Sequence, residues 1–255
     1  ARRADDGAAE VRASTRERRY RRGDVIVAGG APPDSMHLLL DGHVAVQVVT
    51  ESGDVALLRV LGTGDFFGEL SLVSPAPRNA TVLALDAVTT RTLTVDAFER
   101  LRRQNPAAER LLVGALVAEV RRLSAQVSDA YYLTVPERTI VRICELCALY
   151  AVGNGGQGGA ITLSFTQEEL AQLVGTARPT INKVPKDLEE QGLVRLTRGR
   201  VTVPDPARLA AARRRPCATS SLGPPPARAP VIAALGQVGL PLLAGEVAAG
   251  DAQGA

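Results

Sequence analysis

Between Val25 and Val95, short apolar runs recur at close intervals, and the gaps between them are filled largely by Gly and Asp. Val25-Ile26-Val27 precedes Gly29-Gly30, Met36–Leu40 is closed by Asp41-Gly42, and Val44, Val46 and Val48 alternate with smaller or polar neighbours. Glu51-Ser52-Gly53-Asp54 and Gly62-Thr63-Gly64-Asp65 are turns flanking Val55–Leu61, and Thr81–Leu85 and Val88–Val95 complete the set. Short strands spaced by such turns predict an antiparallel barrel or sandwich. At Asp96 the periodicity becomes helical, so the fold class is α+β. Residues 1–22 are charged and Arg-rich and read as a helical lead-in.

The helical region carries Leu112, Leu116, Val120, Leu123 and Val127, which step by four, four, three and four. A narrow apolar seam of that kind predicts pairing with a second copy of the helix, hence a homodimer; packing on the chain's own barrel is the alternative. Thr134-Val135-Pro136 breaks the helix, and Glu137–Tyr150 resumes helical periodicity through Ile140, Ile143, Cys144 and Cys147. The expected organisation is an effector-type domain over 1–108, a dimerisation helix over 109–133, a third domain over 134–212 and a low-complexity tail over 213–255. Within that tail, Leu240–Asp251 with its Ala244-Gly245 pair is similar to the self-cleavage region of LexA-like repressors. No Ser/Lys catalytic domain follows it, so low complexity is the default reading.

Apolar residues make up 45% of the chain, enough for cores, and with 3% aromatics and no Trp those cores must be aliphatic. Three cysteines make no disulfide framework; Cys144 and Cys147 lie on a helical pattern with no second ligand pair, so they read as buried structural residues in a reducing, cytoplasmic setting. No uninterrupted apolar run is long enough to span a membrane. The competing class is an enzyme. Its only histidines, His37 and His43, sit in strand patterns beside no nucleophile motif or metal-ligand partner, so no catalytic residue and no metal site is expected.

The positive charge is unevenly placed. Residues 134–215 hold 12 basic and 8 acidic side chains, against 17 and 17 in residues 1–133. A nucleic-acid partner would want the excess there. Thr166-Gln167-Glu168-Glu169 is a capping box, Leu170, Leu173 and Val174 form a buried helical face, and Gly175 suits a left-handed turn. A second helix follows over Thr176–Gln191, with Ile181, Val184 and Leu188 inward and Arg178, Thr180, Asn182, Lys183 and Lys186 outward. Arg and Lys pair with guanine edges, Asn with adenine, and Thr with phosphate or base. Val194–Val203 reads as a hairpin whose tip carries Arg198 and Arg200, a wing for phosphates. In this order the elements predict a winged helix-turn-helix on double-stranded DNA, with Thr166 at its first cap; a merely solvated basic helix is the alternative. Pro185 is discordant. Inside a helix proline costs ~3 kcal/mol, so it predicts a kink or early end, and with it a weakened or redirected DNA head. Pro179, in the first turn, is tolerated.

The stretch Phe66–Val82 sets Glu69 and Arg78 around a turn opened by Gly68, which suits a ligand with a hydroxylated sugar and a phosphate. With Phe67-Gly68-Glu69-Leu70-Ser71-Leu72 and Pro77-Arg78-Asn79-Ala80-Thr81-Val82, and with strand domain, long helix and winged head in this order, the chain resembles the Crp/Fnr family of bacterial transcription regulators over about residues 20–210. It is closer to the cyclic-AMP-receptor branch than to the iron–sulfur branch, whose N-terminal cysteine cluster it lacks. The resemblance implies a jelly-roll-like cyclic-nucleotide-binding barrel, a homodimer, allosteric control of operator binding, and RNA polymerase as a further partner. It implies no cofactor and cyclic AMP as effector. Glu69 would accept from the sugar 2′-hydroxyl and Arg78 would pair with the phosphate, which Gly68 lets backbone N–H groups approach; Leu70 is counted with them in the ligand site. Asn79 stands where the family often has a hydroxyl residue, and Ser124 keeps the polar group of an adenine-contacting pair whose other member is Leu123. Another small effector, or a Glu69–Arg78 pair that binds nothing, are the alternatives.

Overall fold

The computed structural model describes residues 15–51, 53–104, 107–151, 159–176, 181 and 183–212. Their contacts fall into two units, one of residues up to 46 with 61–121, the other of 47–60 with residues from 122 onward.

The strands are β1 (Thr15–Tyr20), β2 (Val25–Val27), β3 (Ser35–Asp41), β4 (His43–Val49), β5 (Val55–Gly62), β6 (Phe66–Phe67), β7 (Thr81–Ala84) and β8 (Val88–Thr94). They form two four-stranded sheets, ordered β1-β8-β3-β6 and β2-β7-β4-β5. The arrangement is a jelly-roll-like sandwich, the second of the two forms the strand spacing predicts; the two sheets do not close into a barrel. At two residues, β6 is too short to carry pairing further, and the chain leaves it at Gly68 in a left-handed conformation.

Strand β3 shows why its apolar run is continuous. Leu39 enters the core between the sheets with Val27, Val44, Leu61, Phe67, Val82 and Val88. Its neighbour Leu38 points the opposite way, onto Leu72, Leu93, Phe98, Leu101 and Leu112. Successive strand side chains alternate faces, so a strand covered on both sides must be apolar throughout. The second cover comes from the short 3₁₀ turn Glu69–Leu72, from α1 (Val95–Gln104) and from the start of α2 (Ala107–Tyr132).

The expected helical lead-in is corrected in part. Thr15–Tyr20 is a strand, paired with β8 from Thr15↔Leu93 to Tyr20↔Val88. It shows no apolar alternation because it is an edge strand with four exposed charged residues, Arg16, Glu17, Arg18 and Arg19. Charge on an open edge guards against unwanted strand pairing. Residues 1–14, like the tail with its Ala244-Gly245 pair, lie outside the described residues.

Helix α2 corrects the seam. Leu112 is buried in the chain's own core and Leu116 packs against it. The stripe turned to solvent keeps Val120 and Val127 but takes Val113 and Val117 in place of Leu112 and Leu116: Val113, Val117, Val120, Val127 and Tyr131 are 45–80% exposed, with Ser124 also exposed between Val120 and Val127. Those six positions step by four and three in alternation, the heptad spacing of a coiled-coil seam. Leu123, at 43% exposure, flanks it.

In the second unit, α3 (Val135–Ala151), β9 (Ile161–Leu163), α4 (Gln167–Val174), α5 (Val184–Glu190), β10 (Arg195–Thr197), β11 (Arg200–Val203) and α6 (Pro206–Ala211) surround a core that includes Ile143, Phe165, Leu170, Ile181 and Leu209. The three strands form one sheet, β10-β11-β9. Two buried charges bind α2 to α3: Arg142 meets Asp129 at 3.2 Å. The 47–60 hairpin joins this unit, and Gln126 of α2 donates to the Leu58 carbonyl at 3.0 Å. Cys147 is buried, and burial first, then Cys144, pushes its thiol up to about 12, which suits an inert structural residue. Among the described residues no group of His, Cys, Asp and Glu could hold a metal ion, and no helix is long and apolar enough to cross a membrane.

Candidate ligand site and nucleic-acid interface

The pairing of β6 with β3 sets His37 opposite Phe67, which brings Gly68 beside Ser35 and Met36. Gly68 turns the chain with φ +80° and caps the turn Glu69–Leu72. Arg78, ten residues on, is tied by its backbone to the 30–31 loop: its N–H donates to the Ala31 carbonyl at 2.9 Å and its carbonyl accepts from Gly30 at 2.8 Å. Its side chain then runs inward. Nη2 donates to the Ser35 carbonyl at 2.6 Å and to Asp34 Oδ1 at 2.7 Å, and Nη1 to the Gly68 carbonyl at 3.4 Å. The Arg78 side chain is 5% exposed, the Asp34 side chain 79%.

Gly68 has a reason beyond backbone approach to a ligand. A Cβ built there would fall 2.6 Å from Arg78 Nη1 and 3.0 Å from the Ser35 carbonyl oxygen. The missing side chain is the space in which the guanidinium lies.

The first unit thus gathers Gly68, Glu69, Leu70 and Arg78 around one turn. Glu69 is half-buried, Leu70 is 42% exposed, and Asn79 is exposed. Ser124 is exposed on the part of α2 that belongs to the second unit. Sequence reasoning missed Asp34. It lies 44 residues from Arg78, in a Pro32-Pro33-Asp34-Ser35 run that carries no ligand-binding motif of its own. Burial by itself would raise the Asp34 pKa; hydrogen bonds from Ser35 and Arg78, and the charge of Arg78, outweigh it and hold the carboxyl below its usual value.

His37 lies behind this turn. It stacks on Phe67 with ring centroids 4.9 Å apart, and its Nδ1 is 3.3 Å from Thr90 Oγ1 and 3.4 Å from Thr92 Oγ1. Burial first, then the nearby Arg78 and Arg18 charges, lower its pKa to about 4, so it is a neutral core residue near pH 7. His43 bonds Asp86 at 2.7 Å and ties the β3–β4 turn to the β7–β8 turn.

In the second unit the capping box forms as expected. The Glu169 N–H donates to Thr166 Oγ1 at 3.1 Å, and the Thr166 N–H to Glu169 Oε2 at 2.7 Å. Gly175 follows at φ +70°, the left-handed turn between the two helices. Lys183 and Lys186 are exposed at the start of α5, and Arg198 and Arg200 are exposed on either side of Gly199 in the β10–β11 turn. Arg178, Thr180 and Asn182 lie outside the described residues.

The kink or early end expected at Pro185 falls just ahead of it: Ile181 is helical, the chain turns at Lys183, and α5 begins at Val184, which places Pro185, buried, in its first turn. First-turn amides have no intrahelical acceptor, so a missing N–H costs little there.

Comparison with known proteins gives the following. Residues 17–105 match the cyclic nucleotide-binding domain, and residues 137–212 the Crp-like helix-turn-helix domain. The chain is 31% identical over 191 residues to the CRP-like cAMP-activated global transcriptional regulator of Mycobacterium tuberculosis, covering 75% of this chain and 85% of that one. It is 27% identical to the cAMP-activated global transcriptional regulator Vfr of Pseudomonas aeruginosa, covering 69% and 84%. Among solved structures, FixK2 from Bradyrhizobium japonicum shares the fold with a TM-score of 0.68 at 17% identity, covering 79% of this chain and 98% of that one. The c-di-GMP responsive global regulator CLP of Xanthomonas campestris does so with a TM-score of 0.61 at 24% identity, covering 78% and 99%.

Proposed function

The chain belongs to the Crp/Fnr family of transcriptional regulators, and from that premise we propose that it binds operator DNA as a homodimer under the control of an anionic effector, cyclic AMP first. The observation that carries the effector half is Arg78. A guanidinium that is 5% exposed is held by two backbone carbonyls, beside a turn whose glycine leaves room for it. A fixed, desolvated guanidinium is suited to a phosphate, because a charge-assisted pair is among the stronger hydrogen-bond types. Glu69, at the head of the same turn, supplies the acceptor for a sugar hydroxyl.

The output half follows from charge and shape. Lys183, Lys186, Arg198 and Arg200 put positive charge at the exposed start of α5 and on the wing. Such groups bind phosphates and make affinity fall steeply with salt. The exposed heptad stripe of α2 pairs two copies, and two heads one helical turn apart, ~34 Å, read a near-palindromic site. An effector that favours one arrangement of the dimer shifts operator affinity by its differential binding to the two arrangements.

Titration calorimetry with cyclic AMP, cyclic GMP and cyclic di-GMP, on the natural chain and on Arg78→Leu, tests the reading. Cyclic AMP should bind the first and not the second; equal binding to both would refute the site. A second reading, a non-nucleotide anion as effector, is favoured by Leu123, an apolar residue where the family pattern has a polar base contact.

A further inference from the structure

Asp34 and Arg78 are unequal partners. The guanidinium is 5% exposed and the carboxylate 79%, with 2.7 Å between them. Arg78 does not depend on Asp34 for its place, since the Ser35 and Gly68 carbonyls also hold it and its backbone is pinned to residues 30 and 31. Asp34 Oδ1, in contrast, takes both its neutral and its charged hydrogen bond at this spot, from Ser35 Oγ at 2.8 Å and from Arg78 Nη2. A buried cation therefore meets an exposed surface anion at the guanidinium that the proposed effector phosphate would need.

We propose that Asp34 is a built-in anion that competes with the effector's phosphate for Arg78, and so sets how tightly the effector is held. The proposal rests on the reading that Arg78 receives an anionic group. If the phosphate displaces Asp34, the carboxylate gives up the Arg78 bond and returns to water, an inexpensive move for a group already largely exposed. If Asp34 stays, two anions share one guanidinium and repel. Either way the negative charge at residue 34 opposes the phosphate. It also spares Arg78 an unpaired buried charge when no effector is bound. The consequence is an effector site that is satisfied when empty and responds only above a set concentration.

The test is calorimetric titration of the full chain with cyclic AMP, and with adenosine as a phosphate-free probe, on the natural chain, Asp34→Asn, Arg78→Gln and the double variant. Asn keeps the acceptor facing Arg78 and removes only the charge. Asp34→Asn should bind cyclic AMP on the order of tenfold tighter, the effect of removing one nearby like charge at intermediate dielectric. Adenosine binding should not change, and the gain should vanish in the double variant. Binding by Asp34→Asn alone, with the natural chain silent, also supports the proposal. Unchanged or weaker binding by Asp34→Asn, while Arg78→Gln still loses cyclic AMP, overturns the proposal and leaves Arg78 as the phosphate site. Cyclic AMP binding that Arg78→Gln does not weaken overturns the underlying reading instead, and silence in all variants overturns both. Asp34→Ser, a second charge-removing change, guards against an effect peculiar to Asn.

Discussion

Residue 68 and the guanidinium of Arg78 occupy the same space: a Cβ on Gly68 would lie 2.6 Å from Arg78 Nη1. Gly68→Ala must therefore move the far end of Arg78, and it places an L-residue at φ +80°. The backbone penalty is about 1–2 kcal/mol. We expect a modest fall in the unfolding midpoint and a much larger loss of cyclic AMP affinity, at least tenfold. Calorimetry and denaturant melts on the same preparation separate the two. A variant that binds as well as the natural chain would show that Arg78 needs no fixed place.

Two adjacent leucine and valine stripes on α2 make opposite predictions. Val120 is 63% exposed and Leu112 is 7% exposed. Val120→Glu should leave each protomer folded and shift the species seen by sedimentation from dimer to monomer. Leu112→Ala should leave the association intact and destabilise the fold by ~2–5 kcal/mol, the range for a buried Leu truncation. Dissociation by the second variant and not the first would put the pairing surface elsewhere.

His37 makes stability depend on pH. Its folded value of about 4 lies below the ordinary 6.5, so between those limits the unfolded chain holds a proton that the folded chain does not. The contribution is complete above pH 6.5 and is lost as pH falls toward 4, by up to ~3 kcal/mol. Urea midpoints recorded across that window should fall more steeply for the natural chain than for His37→Gln. Parallel curves would mean that His37 titrates normally in the fold.

Pro185 stands in the first turn of α5. Replacing it with Leu should change stability by less than ~1 kcal/mol, against the ~3 kcal/mol expected of an interior proline. A gain of the larger size in thermal melts would mean that Pro185 sits in the interior of one continuous helix and not at the start of α5.

The division between what was legible in the chain and what was not has physical causes. Strands β2–β5, β7 and β8 announced themselves because buried alternation and glycine turns are local signals, and the Thr166 box and Gly175 turn were legible for the same reason. Strand β1 was not, because its stability comes from pairing with β8 some 70 residues away and its own side chains are charged. Asp34 was not, because nothing near it in sequence reveals a guanidinium 44 residues on. The apolar stripe of α2 was legible at Val120 and Val127 but not at its start, for a third reason: Leu112 and Val113 are both apolar, and only the position of the sheet decides which of them faces inward. Pro185 was legible as a break, because a proline's missing N–H and fixed φ are local properties; that a helix resumes at Val184 with the proline in its first turn was not.

Lys183 and Lys186, exposed at the start of α5, are the only lysines among 255 residues. The chain thus carries its own chemical reporter. A reagent selective for side-chain amines labels the start of α5, where the proposed DNA contact lies, and no other side chain, whereas the 28 arginines escape it. Protection of these two amines by DNA, measured by mass spectrometry with and without effector, reads the state of the output directly from unmodified protein.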